Sequence, residues 1–120
     1  MASHNELGRR GELLARNFLE DAGFEILDEN WTFGKSEVDL IAFKSNLIIF
    51  VEVKSRTRVD YGYPEDFVSS AKQKLMALAA DEYIHLMGFE GEIRFDIVSV
   101  LMDGKGDHTI RHIEDAFWPE

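Results

Sequence analysis

The stretch EVDLIAFKSNLIIFVEVK, residues 37–54, decides the fold. Glu37–Phe43 and Leu47–Lys54 are two apolar, β-branched runs joined by Lys44, Ser45 and Asn46, the pattern of a β-hairpin. The second run is apolar on both faces until its end, as expected of a central strand covered on both sides. Polar residues then enter it on one face. Side chains alternate along a strand, so Glu52 and Lys54 project to the same side, about 7 Å apart along the chain. Asp39 interrupts the first run between Val38 and Leu40, and the hairpin can bring it beside Glu52.

Working outward, Ser3 and Glu6 form a capping-box pattern ahead of a helix that runs to Ala22 and stops at Gly23. Leu7, Gly11, Leu14, Ala15, Phe18 and Ala22 share its apolar arc, and Leu19 extends it. Gly8 and Gly11 each cost such a helix about 1 kcal/mol against alanine. Close approach to a sheet is the expected return at both. Phe24–Leu27, extending to about Phe33, reads as a first, irregular strand. After the hairpin a polar, aromatic loop spans Ser55 to Asp66, followed by a helix from about Phe67 to Met87 closed by Gly88. Its expected buried arc is Ala71, Leu75, Leu78, Ala79, Tyr83 and Leu86, with Lys72 inside it. Arg94–Met102 is a further strand and Thr109–Ile113 a fifth. The order α-β-β-β-α-β predicts an α/β fold, a mixed central sheet flanked by helices, with residues 1–120 as one domain.

Composition narrows the function classes. A 120-residue chain, 45% hydrophobic and 30% charged, can bury a core without a staple. It has no cysteine, which excludes disulfides, thiolate zinc sites and cysteine nucleophiles. MASHNELGRRGE lacks an apolar signal core and no run approaches spanning length, so no membrane association and a cytoplasmic location are expected. The net charge of −10 opposes phosphate binding. Its distribution is uneven: residues 81–120 hold ten acidic and three basic residues, whereas Lys54, Arg56, Arg58, Lys72 and Lys74 outnumber the acids within 54–74. A locally basic rim can coexist with an acidic body.

Two carboxylates, Asp39 and Glu52, with the backbone carbonyl of Val53, offer hard oxygen ligands for Mg²⁺ or Mn²⁺. Charge near an apolar strand costs several kcal/mol unless a partner or metal compensates it, roughly as for any buried ion. The ammonium of Lys54 could orient or deprotonate an attacking water, or stabilise charge on a scissile phosphate. Glu12, at the edge of the first helix's apolar arc, could add a further carboxylate. A Glu-x-Lys on one strand face is ordinarily a surface ion pair. The order Glu12, Asp39, Glu52-x-Lys54 on helix, strand and next strand is harder to produce by chance.

This arrangement resembles the PD-(D/E)xK superfamily, the restriction-endonuclease-like fold. GRRGELLARNFLEDAGFEILDENW, EVDLIAF, FVEVKSRT, YGYPEDFVSSAKQKL, RFDIVSV and IRHIEDAF further resemble the successive blocks of the YraN family of small bacterial proteins, regarded as endonucleases and compared with Holliday-junction resolvases. The resemblance spans about residue 5 to Phe117, and FVEVK and EVDLIA are its specific parts. It implies a restriction-endonuclease-like αβββαβ core, a Mg²⁺-dependent DNA endonuclease and Glu12, Asp39, Glu52 and Lys54 as the active centre. One departure is Ser36, where the family usually has Gly before its Glu-Ile/Val-Asp triplet. A serine in resolvase-like relatives approaches the phosphate, although a plain turn serine is the simpler reading.

Other candidates are weaker singly. Lys72 could contact phosphate opposite the metal or simply snorkel, and Gln73 is a lesser candidate beside it. Arg56, Arg58, Tyr61 and Tyr63 follow the polar strand end, where backbone and stacking contacts with DNA are plausible. Arg9 and Arg10 flank Glu12. Asp96, two residues after Arg94 on one strand face, reads as a structural ion pair. His85 and His112 lack zinc spacing and receive no role. Trp31, Phe117 and Trp118 read as packing residues. The leading expectation is a metal-dependent phosphodiesterase on DNA, branched DNA included, for which resolvase-like action implies a homodimer. The alternative is a non-catalytic nucleic-acid or protein-binding module on the same fold. A paired-carboxylate glycosidase is weaker still, because it leaves Lys54 without a role.

Overall fold

The computed structural model describes residues 4–57 and 68–119. The elements are α1 (His4–Asp21), β1 (Glu25–Phe33), β2 (Ser36–Lys44), β3 (Leu47–Thr57), α2 (Ser70–Met87), β4 (Glu92–Met102) and β5 (His108–Ile113). The five strands form one sheet in the order β1-β2-β3-β4-β5. Every neighbouring pair is antiparallel except β3 and β4, which run parallel. A parallel pair cannot be closed by a tight turn, and α2 is the crossover between its strands. The result is the expected α/β, restriction-endonuclease-like arrangement of a mixed sheet flanked by two helices. No helix among the described residues is long and apolar enough to cross a membrane.

The hairpin is built by its turn. Lys44 pairs with Leu47, and Ser45 and Asn46 between them have φ of 51° and 60°. Two left-handed residues make the turn whose twist matches that of the flanking strands. Ile48, Ile49, Phe50 and Val51 of β3 are each at most 1% exposed. Ile49 and Val51 pack with Ala15 and Leu19 of α1. Ile48 and Phe50 pack with Met76, Ala79, Ala80 and Tyr83 of α2. Each such side chain contributes about 1.5–3 kcal/mol by leaving water, so the central hairpin organises both layers.

Several boundaries and faces differ from expectation. β3 continues through Thr57 and α2 starts only at Ser70, whose cap Ser69 accepts from the amide of Lys72 at 3.2 Å. α2 ends as expected, on a left-handed Gly88. Its buried face agrees only in part. Leu75, Leu78 and Leu86 are 37%, 56% and 66% exposed, and Ala71 is exposed as well. Of the expected arc Ala79 and Tyr83 are buried, and Met76 and Ala80 join them, with the small alanines letting the helix backbone lie close to the sheet. The two glycines of α1 also separate. A Cβ on Gly11 would lie 1.7 Å from Ser55 Oγ, whereas one on Gly8 would meet nothing within 4 Å. Only Gly11 answers a close approach. The expected Ser3 cap and most of the loop before α2 lie outside the described residues.

Asp96 of β4 is fully buried and is held by four contacts from three residues. Arg94 donates to both its oxygens at 2.8 and 2.9 Å, His112 Nε2 lies 2.7 Å from Oδ2, and the Asp115 amide donates at 3.0 Å. Burial works against its charge, but His112, Arg94 and the Asp115 amide outweigh it and hold the carboxyl below its usual range. The ion pair with Arg94 was legible; the part played by His112 was not.

Candidate metal centre

The centre lies where the sheet forks. The β2–β3 ladder ends at Leu40 opposite Val51. Beyond that point β2 stays paired with β1 as far as Ser36 opposite Phe33, and β3 stays paired with β4 as far as Thr57 opposite Met102. Two two-stranded arms therefore diverge, leaving backbone groups of β3 without a β2 partner. Asp39 fills the first gap with its side chain: Oδ2 accepts the Val53 N–H at 2.8 Å. In an extended residue the N–H and C=O face the same neighbour, so the Val53 carbonyl also faces the fork.

The other carboxylates come from three elements. Glu52, on the α2 side of β3, is 4% exposed. Glu12 reaches the fork from α1, which Gly11 allows to lie against Ser55. Glu37 arrives from β2, two residues before Asp39 on the same strand face. Carboxylate oxygens of Glu12, Glu37 and Asp39 all lie within 4.8 Å of one another. With its nitrogen turned toward them, the Asn30 amide donates to Glu12 at 3.2 Å and Glu37 at 3.1 Å. Asn30 lies between the paired residues Glu29 and Trp31, opposite Asp39, and its φ of 50° marks a local twist of β1. Glu37 was missed in the sequence, although its spacing from Asp39 is the same signal that linked Glu52 to Lys54.

Crowding sets the protonation. The Asp39 carboxyl is pushed up to about 9, first by burial, then by its hydrogen bond with Glu52 and the charge there, with Glu12 adding to the effect against the Val53 amide. Glu52 also pays for burial, but the Asp39 hydrogen bond, the Lys72 ion pair and the charge of Lys54 hold it below the usual range. The pair thus retains one proton at neutral pH, as two carboxyls sharing a site do. Burial raises Glu12, helped by Glu37, Glu29 and Glu52 and opposed by Asn30. Glu12, Asp39 and Glu52 line one 230 Å³ cavity, and Glu37 stands beside Glu12 and Asp39, so that the four form a set of hard oxygen donors.

A divalent ion fits this donor set. Glu52 Oε2 is buried and makes no hydrogen bond of acceptable geometry; the Lys72 ammonium beside it supplies its compensation. Lys54 is half-buried on the same strand face as Glu52 and close enough to favour its charge. The structure therefore brings Glu12, Asp39, Glu52, Val53, Lys54 and Lys72 to one place.

The remaining candidates are elsewhere or otherwise engaged. Ser36 is 4% exposed and its hydroxyl donates to the Leu75 carbonyl at 2.7 Å, so it ties β2 to α2. Gln73 similarly donates to the Val68 carbonyl at 2.8 Å. Arg56 is exposed at the end of β3 and donates to the Ser55 carbonyl at 3.0 Å. Arg9 is exposed on α1, and the exposed Arg10 borders a different cavity, with Thr57 and Met102. Arg58, Tyr61 and Tyr63 lie outside the described residues. Trp31 packs edge-on to Tyr83 and Phe117 stacks on Phe95, while Trp118 is 53% exposed.

Comparison with known proteins agrees in extent. The model of the uncharacterised protein family UPF0102, the YraN family, matches residues 11–100. A UPF0102 protein of Flavobacterium psychrophilum is 48% identical over 118 residues, covering 98% of each chain. One from Flavobacterium johnsoniae is 43% identical over 122 residues, again covering 98% of each. A third, from Bacteroides thetaiotaomicron, is 41% identical over 119 residues, covering 99% of this chain and 98% of the relative.

Proposed function

This chain belongs to the uncharacterised protein family UPF0102, and we propose that it is a Mg²⁺- or Mn²⁺-dependent endonuclease hydrolysing phosphodiester bonds in DNA, with branched, Holliday-junction-like DNA the first substrate class to test. The observation that carries this reading is the meeting of Asp39, Glu52 and Lys54 at the sheet fork, with a buried Glu52 oxygen that lacks a hydrogen bond. Asp39, Glu52 and the Val53 carbonyl would hold the ion. Glu12 and Glu37 stand ready for a further ligand or an ordered water. When bound, the ion supplies Lewis acidity at the phosphate and lowers the pKa of water.

The chain's own groups divide the remaining work. Asp39 would have to give up its proton before it could serve as a ligand, so cation uptake and deprotonation would be linked. Lys54 places a positive charge beside the centre without occupying a ligand position, suiting it to orient the attacking water and to stabilise the phosphorane-like charge. The fork leaves the site open between its arms, as a substrate larger than the protein's own cavities requires.

The test is cleavage of single-stranded, duplex, flap and four-way-junction DNA with Mg²⁺ or Mn²⁺. Asp39→Ala, Glu52→Ala and Lys54→Ala should each lose about 10²-fold or more. Variants that cleave as well as the parent would show the centre to be wrongly assigned. Salt-sensitive DNA binding by the parent without turnover would favour the non-catalytic binding module instead.

A further inference from the structure

Lys72 joins the carboxylate centre to a second cleft. Its ammonium pairs with Glu52 Oε2, and the two partners differ in freedom: the Lys72 side chain is 44% exposed, that of Glu52 only 5%. The carboxylate is fixed and the ammonium can leave. On the α2 side of Asp39 lies a cleft of 490 Å³, lined by Lys35, Glu37 and Asp39 from the start of β2 and by Ser69 and Lys72 from the start of α2. A phosphate entering this cleft in the metal-free protein would face both of those acidic side chains.

We infer that Lys72 is an exchangeable internal counter-ion: a divalent cation taken up at Glu52 displaces its ammonium into the adjoining cleft, where, with Lys35, it binds a phosphate of the nucleic-acid strand. This rests on the metal-centre reading above. Two cations compete for one buried oxygen, since like charges at that separation repel and Oε2 has no hydrogen bond to share the load. Exchange then changes the cleft twice. It releases an ammonium there, and it neutralises carboxylate charge lining the same cleft. Cation and phosphodiester therefore strengthen each other's binding, and by linkage the effect is reciprocal.

The experiment is a calorimetric Mn²⁺ titration of the full chain without DNA, comparing the parent with Lys72→Met, Lys72→Arg and Lys74→Met. Lys74 removes the same charge from the same helix but borders a different cavity, with Ser70, Gln73 and Trp118. Lys72→Met should bind Mn²⁺ about five- to tenfold more tightly, within the ordinary range of coupling between two sites. Lys72→Arg and Lys74→Met should stay within about twofold of the parent by the same measure. Equal or weaker binding by Lys72→Met, or equal tightening by Lys74→Met, overturns the exchange. If the parent binds Mn²⁺ and Asp39→Asn abolishes that binding, while Lys72→Met changes nothing, this inference alone fails. If neither parent nor Lys72→Met binds Mn²⁺, the metal centre falls with it. A labelled oligonucleotide titrated with and without Ca²⁺ reads the second half. The cation should strengthen its binding several-fold more for the parent than for Lys72→Met; equal strengthening removes the phosphate role.

Discussion

Replacing Gly11 by alanine should push α1 off the sheet, and the size of the effect can be worked from what the new methyl meets. It would sit 1.7 Å from Ser55 Oγ and 2.8 Å from Ser55 Cβ. A rotamer change can move the hydroxyl, but the Cβ belongs to a strand paired on its other side with β4. The helix must therefore shift. Overpacking of this kind costs about 1–3 kcal/mol, and the Cβ contact argues for the upper end. Alanine returns about 1 kcal/mol of helix propensity, leaving a net loss of about 2 kcal/mol. Gly8→Ala receives the propensity gain without the clash, because nothing lies within 4 Å. The two variants should differ by about 3 kcal/mol, or about 10 °C in Tm for a chain of this size. Thermal and urea unfolding followed by circular dichroism reads this directly, and Ser55→Gly in the Gly11→Ala background should restore most of the loss. Because Glu12 is carried by the same turn, Gly11→Ala should also weaken Mn²⁺ binding where Gly8→Ala does not. A Gly11→Ala protein stabilised as much as Gly8→Ala would refute the close approach of α1 to β3.

Other outcomes follow from the same geometry. Lys54→Met should abolish DNA cleavage while leaving calorimetric Mn²⁺ affinity within about twofold, since Lys54 is not a ligand. Asp39 is raised to about 9 from 3.8, so the folded, metal-free protein holds a proton that the unfolded chain releases; its contribution to stability is complete below about pH 4 and lost as pH rises toward 9. Asp39→Asn should therefore gain stability relative to the parent between pH 5 and 8 in urea titrations with EDTA, about these values of pH being set by the two ends of that window. Asp96 has the opposite sign: its lowered carboxyl contributes stability above the unfolded value and loses it as pH falls through the folded one. Asp96→Ala should cost about 3–5 kcal/mol at neutral pH, by leaving the Arg94 guanidinium without its buried partner.

The element order and the Glu52–Lys54 pair were readable because both rest on the two-residue period of a strand. Asp39 needed the hairpin turn at Ser45 and Asn46 to come near Glu52. Glu37 follows from the same two-residue period, two positions before Asp39. α2 is legible only in part, for a physical reason: Leu75, Leu78 and Leu86 face solvent while Ala79, Ala80 and Tyr83 face the sheet, and periodicity alone cannot say which side of the arc a sheet will accept. The alanines won, since they allow closer packing. His112 was opaque for another reason. Its partner Asp96 is sixteen positions away, and only the antiparallel β4–β5 pairing brings them together. Ser36 looked available beside Asp39, yet the carbonyl it binds belongs to a helix 39 positions later.

The Val53 N–H to Asp39 bond has a mechanical side. Past Leu40 and Val51 it joins one arm of the sheet to the other, beside the Asp39–Glu52 side-chain hydrogen bond, in place of a backbone ladder. The group that carries the raised proton is thus also a clasp between the arms, so its protonation and the opening angle of the sheet become one variable. Spreading the arms would alter the acidity of Asp39 from a distance, and under the proposed function a cation on Asp39 would stiffen a joint that otherwise rests on the Val53 amide and on Glu52.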